Sequence, residues 1–369
     1  MGNVPNLRFP EFSGEWKKCK FGDIATGFDY GMNAAAKPFD GENKYIRITD
    51  IDEASSTYND KDIVSPDGRL TDNYVVNDRD ILLARTGAST GKSYLYRKSD
   101  GKLYYAGFLI RANITEHNPY FVFSQLHTHR YWRWVSIMSA RSGQPGINSQ
   151  EYSSFPIFTT SLHEENKIST LLSLLNERIV TQNKIIEKLQ SLIKGLAVAL
   201  TTKEKANIAI SQCLECHSST LQESEVLSSG LCKVFGANGL VGYKDVPQMN
   251  GDAILVIKDG SGVGTVSYAQ GKFSVIGTLN YLTVIGNNDL RYLYFALSVF
   301  NFQPYKTGMA IPHIYFKDYG KAKIYCPSLT EQKRVANVLD KLESKLFVEQ
   351  ELLASFNQQK LYLLGKMFI

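Results

Sequence analysis

The chain is short of several things, and each shortage closes off a class of function. Five cysteines in 369 residues are too few for a disulfide-stapled secreted scaffold and fit a reducing compartment. No apolar run is long enough to cross a bilayer. The opening MGNVPNLRFP lacks the apolar core of an export signal, and Pro5 and Asn6 leave the myristoylation pattern incomplete. The cytoplasm is the expected compartment. Charge of one sign is also scarce. The 41 basic and 36 acidic residues give a net charge of +5, spread along the chain without a basic tail. Such a balance permits a nucleic-acid partner without arguing for one. Missing too are the Gly-x-Ser-x-Gly elbow, His-Glu-x-x-His, the Asp/Asn-Pro-Pro-aromatic tetrad of amino-methyltransferases and the Pro-Asp…Asp/Glu-x-Lys nuclease core. The chain therefore spells out no hydrolytic, methyl-transferring or DNA-cleaving chemistry.

Three fragments imitate functional motifs. Gly87-Ala-Ser-Thr-Gly91-Lys92-Ser93 is one residue short of a phosphate-cradling loop, with Thr86 where the first glycine belongs. Cys213-Leu-Glu-Cys216-His217 has the spacing of covalent haem attachment, but no second Cys-x-x-Cys completes a zinc set with Cys232 and a histidine. His127 and His129 in LHTHRYWRW read as the polar face of a helix that buries Tyr131 and Trp134. No metal or cofactor is expected.

What the chain does have is a second copy of itself. SLHEENKISTLLSLLNERIVTQNKIIEKL from Ser161 aligns without a gap to SLTEQKRVANVLDKLESKLFVEQELLASF from Ser328, an offset of 167 residues. Each copy opens with Ser-x-x-Glu, Ser161 with Glu164 and Ser328 with Glu331, the pattern of a capping box. Each then carries an apolar heptad seam. In the first the rows are Leu172, Ile179, Ile186, Ile193 and Ile168, Leu175, Gln182, Leu189, Leu196. In the second they are Leu339, Leu346, Leu353 and Val335, Leu342, Glu349, Phe356, Leu363. This predicts two coiled-coil helices, each ~35 residues and roughly 50 Å long. Upstream, DILLARTGASTGKSYLY at Asp80 matches DAILVIKDGSGVGTVSY at Asp252, PYFVFSQL matches RYLYFALS, and SGQPGIN matches TGMAIPHI. Lys258-Asp-Gly-Ser-Gly-Val-Gly264 lacks the Lys and Ser that phosphate and metal would require. The Gly-rich segment is thus expected to be a strand–turn–strand element in both copies. The expected segments are a globular unit at 1–161, a helix at 162–205, a second unit at 206–328 and a helix at 329–369.

This order, with LRFPEFSGEWKKCKFGDIATG, KYIRITDID and FGANGLVGYKD, resembles the specificity subunit of type I restriction–modification enzymes. The resemblance covers nearly the whole chain and is loosest from Asn207 to Gly230, which departs from the Trp16–Ile24 opening. It implies an α+β fold: two similar α/β target recognition domains, each reading half of a split site in double-stranded DNA. Between them two long helices form an antiparallel coiled coil with a pseudo-twofold repeat, serving as spacer and as the dock for two modification (methyltransferase) subunits. Methyl transfer, ATP hydrolysis and cleavage would belong to the modification and restriction subunits, and S-adenosylmethionine would be held by the modification subunit. A rigid spacer would select half-site spacing, because major-groove faces recur every ~34 Å. A scaffold protein without DNA recognition, or a nucleotide-dependent enzyme using Lys92, are the competing readings.

Polar residues at strand ends and in the Gly-rich turns are the expected DNA contacts. In the first unit these are Arg47, Thr49, Arg85, Thr86, Ser89, Thr90, Lys92, Gln144 and Asn148. In the second they are Asn238, Lys258, Ser261, Lys306, Thr307 and His313. Lys92 and Lys306 suit phosphate, whereas Gln144 and Asn148 have the paired donor and acceptor that match adenine. Gln182 and Glu349, equivalent under the offset and each a lone polar residue in its row, are expected to meet mid-helix and fix the register.

Overall fold

The computed structural model describes residues 2–53, 55–140, 144–308 and 310–369. Two compact units divide it, Met1–Asn183 with Glu351–Ile369, and Lys184–Gln350.

In the first unit Lys17–Lys20 pairs antiparallel with Pro156–Thr159. A one-turn helix, Phe21–Ile24, follows and drives Phe21 and Ile24 into the core. The central sheet has the order Ala25–Tyr30, Leu109–Ile114, Asp80–Ala84, Ser93–Leu95. Asp80–Ala84 is buried throughout, as a central strand covered on both faces should be. Helices Pro119–Gln125, His129–Met138 and Ser149–Ser153 cover it.

The second unit repeats this plan. Ile208–Ala209 pairs with Lys323–Ile324, a one-turn helix Ile210–Cys213 follows, and the sheet order is Leu214–Ser218, Leu279–Val284, Ala253–Ile257, Val266–Ala269. The Asn207–Gly230 segment, which departs from the opening in sequence, therefore has the same strand–helix–strand start. What the fold asks there is a buried side chain at each end of one helical turn, and Ile210 and Cys213 supply it as Phe21 and Ile24 do. The units differ in their side sheets. The second has four strands, Gly239–Lys244, Cys232–Gly236, Lys272–Val275 and Met249–Asn250. The first has two separate pairs, Ala35–Pro38 with Val64–Asp67 and Lys44–Ile46 with Leu103–Tyr105.

The predicted long helices span Leu162–Thr201 and Leu329–Met367. Every seam residue named from the heptads is buried or half-buried. Within the first unit Ile168, Leu172, Leu175 and Ile179 pack with Leu353, Phe356, Leu363, Leu364 and Met367, and Lys360 Nζ donates to Asn176 Oδ1 at 3.0 Å. Within the second, Leu196, Ala197 and Leu200 pack with Val335, Ala336 and Leu339. In each unit an early stretch of one helix meets a late stretch of the other, which is antiparallel packing.

The capping boxes form only by half. Ser161 Oγ and Ser328 Oγ accept from the backbone N–H of Glu164 and Glu331. The buried Glu164 carboxylate does not reach back, because it accepts from Arg8, Trp16 Nε1 and Thr160 Oγ1. Glu331 is drawn instead to Arg334. The residue after each glutamate acts as a clamp that the heptad pattern does not announce. Glu165 Oε2 accepts from the N–H of Asn118, the N-cap of the Pro119 helix. Gln332 Oε1 accepts from the N–H of Asp289, the N-cap of Leu290–Ser298. Each clamp ties the start of a long helix to its own globular core.

Candidate nucleic-acid interface

In the first unit the strand Asp80–Ala84 enters a tight loop, Arg85–Lys92, and leaves along Ser93–Leu95. Gly91 N–H donates to the Ala84 carbonyl and Ala84 N–H to that of Lys92. Thr90 N–H closes on Gly87 and Lys92 N–H on Ser89. Three more bonds tie the loop to its surroundings: Arg85 N–H to Phe108, Gly87 N–H to Pro145 and Ile147 N–H to Arg85. The second unit repeats all of these: Gly264 to Ile257, Ile257 to Thr265, Val263 to Gly260, Thr265 to Gly262, Lys258 to Thr278, Gly260 to Pro312 and Ile314 to Lys258. Gly87, Gly91, Gly260 and Gly264 have φ between +68° and +98°, the left-handed region where a Cβ is penalised. The shared bonds pair Arg85 with Lys258 and Lys92 with Thr265. The alignment begun at Asp80 and Asp252 is one residue out of step here. Ser93–Leu95 is a strand, so the loop lacks the helix N-terminus that a phosphate cradle uses.

Candidate side chains of the first unit separate into engaged and presented. Arg47 is engaged: Nε and Nη2 donate to the two oxygens of the buried Asp50. Thr49 is exposed beside it, 3.3 Å from Asp50 Oδ1. Thr90 is buried and donates back to the Gly87 carbonyl, so its hydroxyl braces the loop. Thr86 bridges to Gly146, and Ser89 is half-buried. Lys92 Nζ lies 3.3 Å from Glu53 Oε2. Asn148 is the N-cap of Ser149–Ser153, and its Oδ1 accepts from Glu151 N–H. Gln144 is exposed at the adjoining turn, its Nε2 close enough that a Cβ on Gly87 would come within 3.2 Å of it. Ser142 and Gly143, at the start of that turn, lie outside the described residues.

Arg85 is presented. Its Nε donates to the Gly107 carbonyl at 3.0 Å. The guanidinium carbon lies 4.9 Å from the Tyr30 ring centroid and 5.9 Å from that of Phe108. Tyr30 and Phe108, 43% and 55% exposed, were not singled out by sequence; a large aromatic directly after a glycine at the head of a strand, as in Gly107-Phe108, is the signal available. Tyr30 OH accepts from Ser149 N–H. Hydrogen bonding from the Ser149 side chain and then its backbone, joined by the Arg85 charge, outweighs burial and holds the phenol below the ordinary value. Tyr30, Arg47, Thr49, Arg85 and Phe108 all line one cleft of roughly 600 Å³.

In the second unit the loop that carries Lys258 and Ser261 meets the segment around His313 through Gly260 N–H to Pro312 and Ile314 N–H to Lys258, and Thr307 and His313 exchange both backbone bonds. His313 Nδ1 lies 3.1 Å from the Ile311 carbonyl. Lys306 is half-buried next to that turn. Asn238 lies apart on the exposed turn joining Cys232–Gly236 to Gly239–Lys244. Five of the six second-unit candidates therefore share one loop cluster, and Asn238 belongs to a different sheet.

The Cys-x-x-Cys-His stretch is absorbed by the fold. Cys213 is buried at the end of its one-turn helix, with its thiol against Cys326. His217 stacks on Tyr281 at 4.8 Å and shares a hydrogen bond with Thr283. His127 does not lie on a polar helix face as expected. Its Nδ1 faces the Phe123 carbonyl and its Nε2 faces Ser56 Oγ, and burial lowers its pKa to about 4. Among the described residues no three His, Cys, Asp or Glu side chains gather as metal ligands, and no helix is long and apolar enough to cross a membrane.

Residues 217–358 match the family model described as the type I restriction modification DNA specificity domain. Over 110 residues the chain is 24% identical to the EcoprrI specificity subunit of a type I restriction enzyme from Escherichia coli. That alignment covers 30% of this chain and 27% of the relative, so it spans about a quarter of that protein's length. The fold matches the crystal structure of a type I restriction–modification S subunit from M. genitalium with a TM-score of 0.71, 17% identity and 99% of each chain covered. A second structure, from an account of complex assembly and conformational transition of the type I R-M system, matches with a TM-score of 0.54, 15% identity and coverage of 96% of this chain and 97% of that one. At such identities the structural likeness is one of fold.

Proposed function

We infer that this chain, which belongs to the specificity subunits of type I restriction–modification systems, reads a bipartite DNA site and performs no chemistry of its own. The observation that carries this reading is the loop built twice. Seven backbone bonds recur around Arg85 and Lys258, while the side chains at the tip differ. A scaffold that holds backbone constant and varies exposed polar groups is suited to reading two different half-sites. The candidates from Arg47 to His313 are proposed as the two reading faces, with Thr90 bracing its loop and Arg47 bracing Asp50. Asn148 keeps its amide donors for a base while its carbonyl caps a helix.

The long helices would dock two modification subunits, and restriction subunits would join the full complex. Methyl transfer with S-adenosylmethionine, ATP hydrolysis and cleavage are assigned to those partners, in the cytoplasm. The division at 1–161, 162–205, 206–328 and 329–369 is kept as the modular scheme. Pairing of Gln182 with Glu349 rests on the sequence repeat. Gln182 is buried, and Glu349 accepts from Lys345 one turn earlier. A double-mutant cycle of Gln182→Leu and Glu349→Leu that shows strict additivity would remove that pairing.

Methylome sequencing of a host with and without the gene tests the main reading. The expected result is loss of one bipartite, non-palindromic methylated motif. An unchanged methylome, with active partner subunits present, would refute it. Methyl transfer or ATP turnover by the purified chain alone would refute the non-catalytic assignment.

A further inference from the structure

We propose that Arg85 is the guanine-reading residue of the first unit, held for that task by the Gly107 carbonyl and the Tyr30 and Phe108 rings. The proposal rests on the DNA-reading function above and adds which residue selects which base.

The unit offers two arginines at the cleft, and geometry separates them. Arg47 has Nε and Nη2 satisfied by the two Asp50 oxygens, a bidentate pair that leaves little fork for a base. Arg85 has only Nε committed, to Gly107. Among the described residues its two terminal amines have no hydrogen-bond partner. A guanidinium anchored through Nε and flanked by two rings has lost most of its rotamer freedom, so little more is lost when it binds. Two parallel N–H donors match the O6 and N7 acceptors that guanine alone presents in the major groove.

The backbone around the group is built to hold it. Phe28 has a φ of +62° and is the extra residue of a bulge, where pairing with Leu109–Ile114 shifts between Gly27 and Asp29. Such strain in a non-glycine residue gathers where a side chain must be re-aimed. Phe28 pays this back in part by packing on Phe21 at 5.2 Å, and the next residues out are Asp29 and Tyr30. Tyr30 is fixed in turn by Ser149 N–H, and Arg85 takes Ile147 N–H on its carbonyl. Arg85 and Tyr30 are thus both tied to the Ile147–Ser149 backbone, which follows Gln144, so a base set on Arg85 would have its neighbour beside Gln144.

The second unit lacks this arrangement. The ladder places Ser218 opposite Asn280 where the first unit has Tyr30 opposite Ile110. The shared bonds place Lys258 where it has Arg85 and Thr278 where it has Phe108. A lysine point charge between small polar residues cannot make the planar fork.

The test uses the assembled complex with its modification subunits. Wild-type complex first defines the bipartite motif; if none is found, the DNA-reading function itself fails. Given a motif, Arg85→Ala and Arg85→Lys should each make a single G·C position degenerate, in one half only, with discrimination there falling on the order of 10- to 100-fold. Independently of any variant, 7-deazaguanine placed at each guanine in turn should weaken wild-type binding at that one position, because N7 is gone. The proposal is overturned if both variants retain the wild-type motif, if the degenerate position is A·T, or if no single 7-deazaguanine in that half weakens binding.

Discussion

The first unit's loop opens with an arginine between two exposed rings, and the second's opens with a lysine that has Ser218 and Thr278 at the matching places. Around both residues the backbone bonds are the same. The difference teaches where this fold stores identity and where it stores variation. Backbone N–H and C=O groups must be satisfied whatever the side chain, so a loop closed by main-chain bonds and left-handed glycines tolerates any polar tip.

Exchanging residues 1–161 for the corresponding unit of a relative should have the largest effect on this comparison. One half of the methylated motif should change and the other should stay, as read by methylome sequencing. A change in both halves would break the two-head scheme.

The helix starts separate the units next. Glu164→Ala removes a buried carboxylate that three donors share, leaving Arg8 without its counter-charge and with only the Ser13 and Gly14 carbonyls, and should cost ~3 kcal/mol in denaturant unfolding. Glu331→Ala, at the same heptad place but paired only with the exposed Arg334, should cost less than ~0.5 kcal/mol. Burial by itself would raise the Glu164 carboxyl, but the hydrogen bonds from Arg8, Thr160 and Trp16 outweigh it and hold the group below its ordinary 4.5. Its contribution is full above that value and is lost as pH falls through the lower folded one. The gap between wild type and Glu164→Ala should therefore narrow on acidification below about 4.5, the ordinary value.

The two loops should respond alike where they are alike. Gly91→Ala meets Val135 and Trp132 at under 3 Å and Gly264→Ala meets Phe302 at 2.9 Å, both at positive φ. Each should cost ~2 kcal/mol in thermal or denaturant unfolding. A large loss in one and none in the other would show that the loops are not equivalent.

The smallest effect belongs to His127, which has no counterpart in the repeat. Its folded pKa of about 4 lies below the ordinary 6.5. Its contribution is therefore complete above pH 6.5 and declines as pH falls toward 4, because the unfolded chain takes up the proton first. His127→Asn should flatten this part of the stability–pH curve.

The long helices were legible because a heptad seam is a local, repeated signal, and their observed bounds, Leu162–Thr201 and Leu329–Met367, agree closely with it. The Gly-rich loops were legible as paired turns, since Gly87, Gly91, Gly260 and Gly264 mark φ values that few other residues adopt. Their register was not, since one residue of slippage costs nothing in a comparison of letters and only the bonds decide it. The Asn207–Gly230 start was illegible for a related reason: burial at Ile210 and Cys213 constrains two side chains, and the rest were free to diverge.

By itself, then, the sequence determined the repeat, the two helices, the pair of turns and the absence of a catalytic motif, all of which are patterns along the chain. Tertiary structure alone decided that Glu164 would bind Arg8 rather than its own helix start. It also decided that Arg47 would be consumed by Asp50 and that Arg85 would stand between Tyr30 and Phe108, residues 55 before it and 23 after it. The physical reason is that a charged side chain takes whichever partner the fold brings within hydrogen-bond distance, and that distance is set by strand pairing across the sheet, not by spacing along the chain.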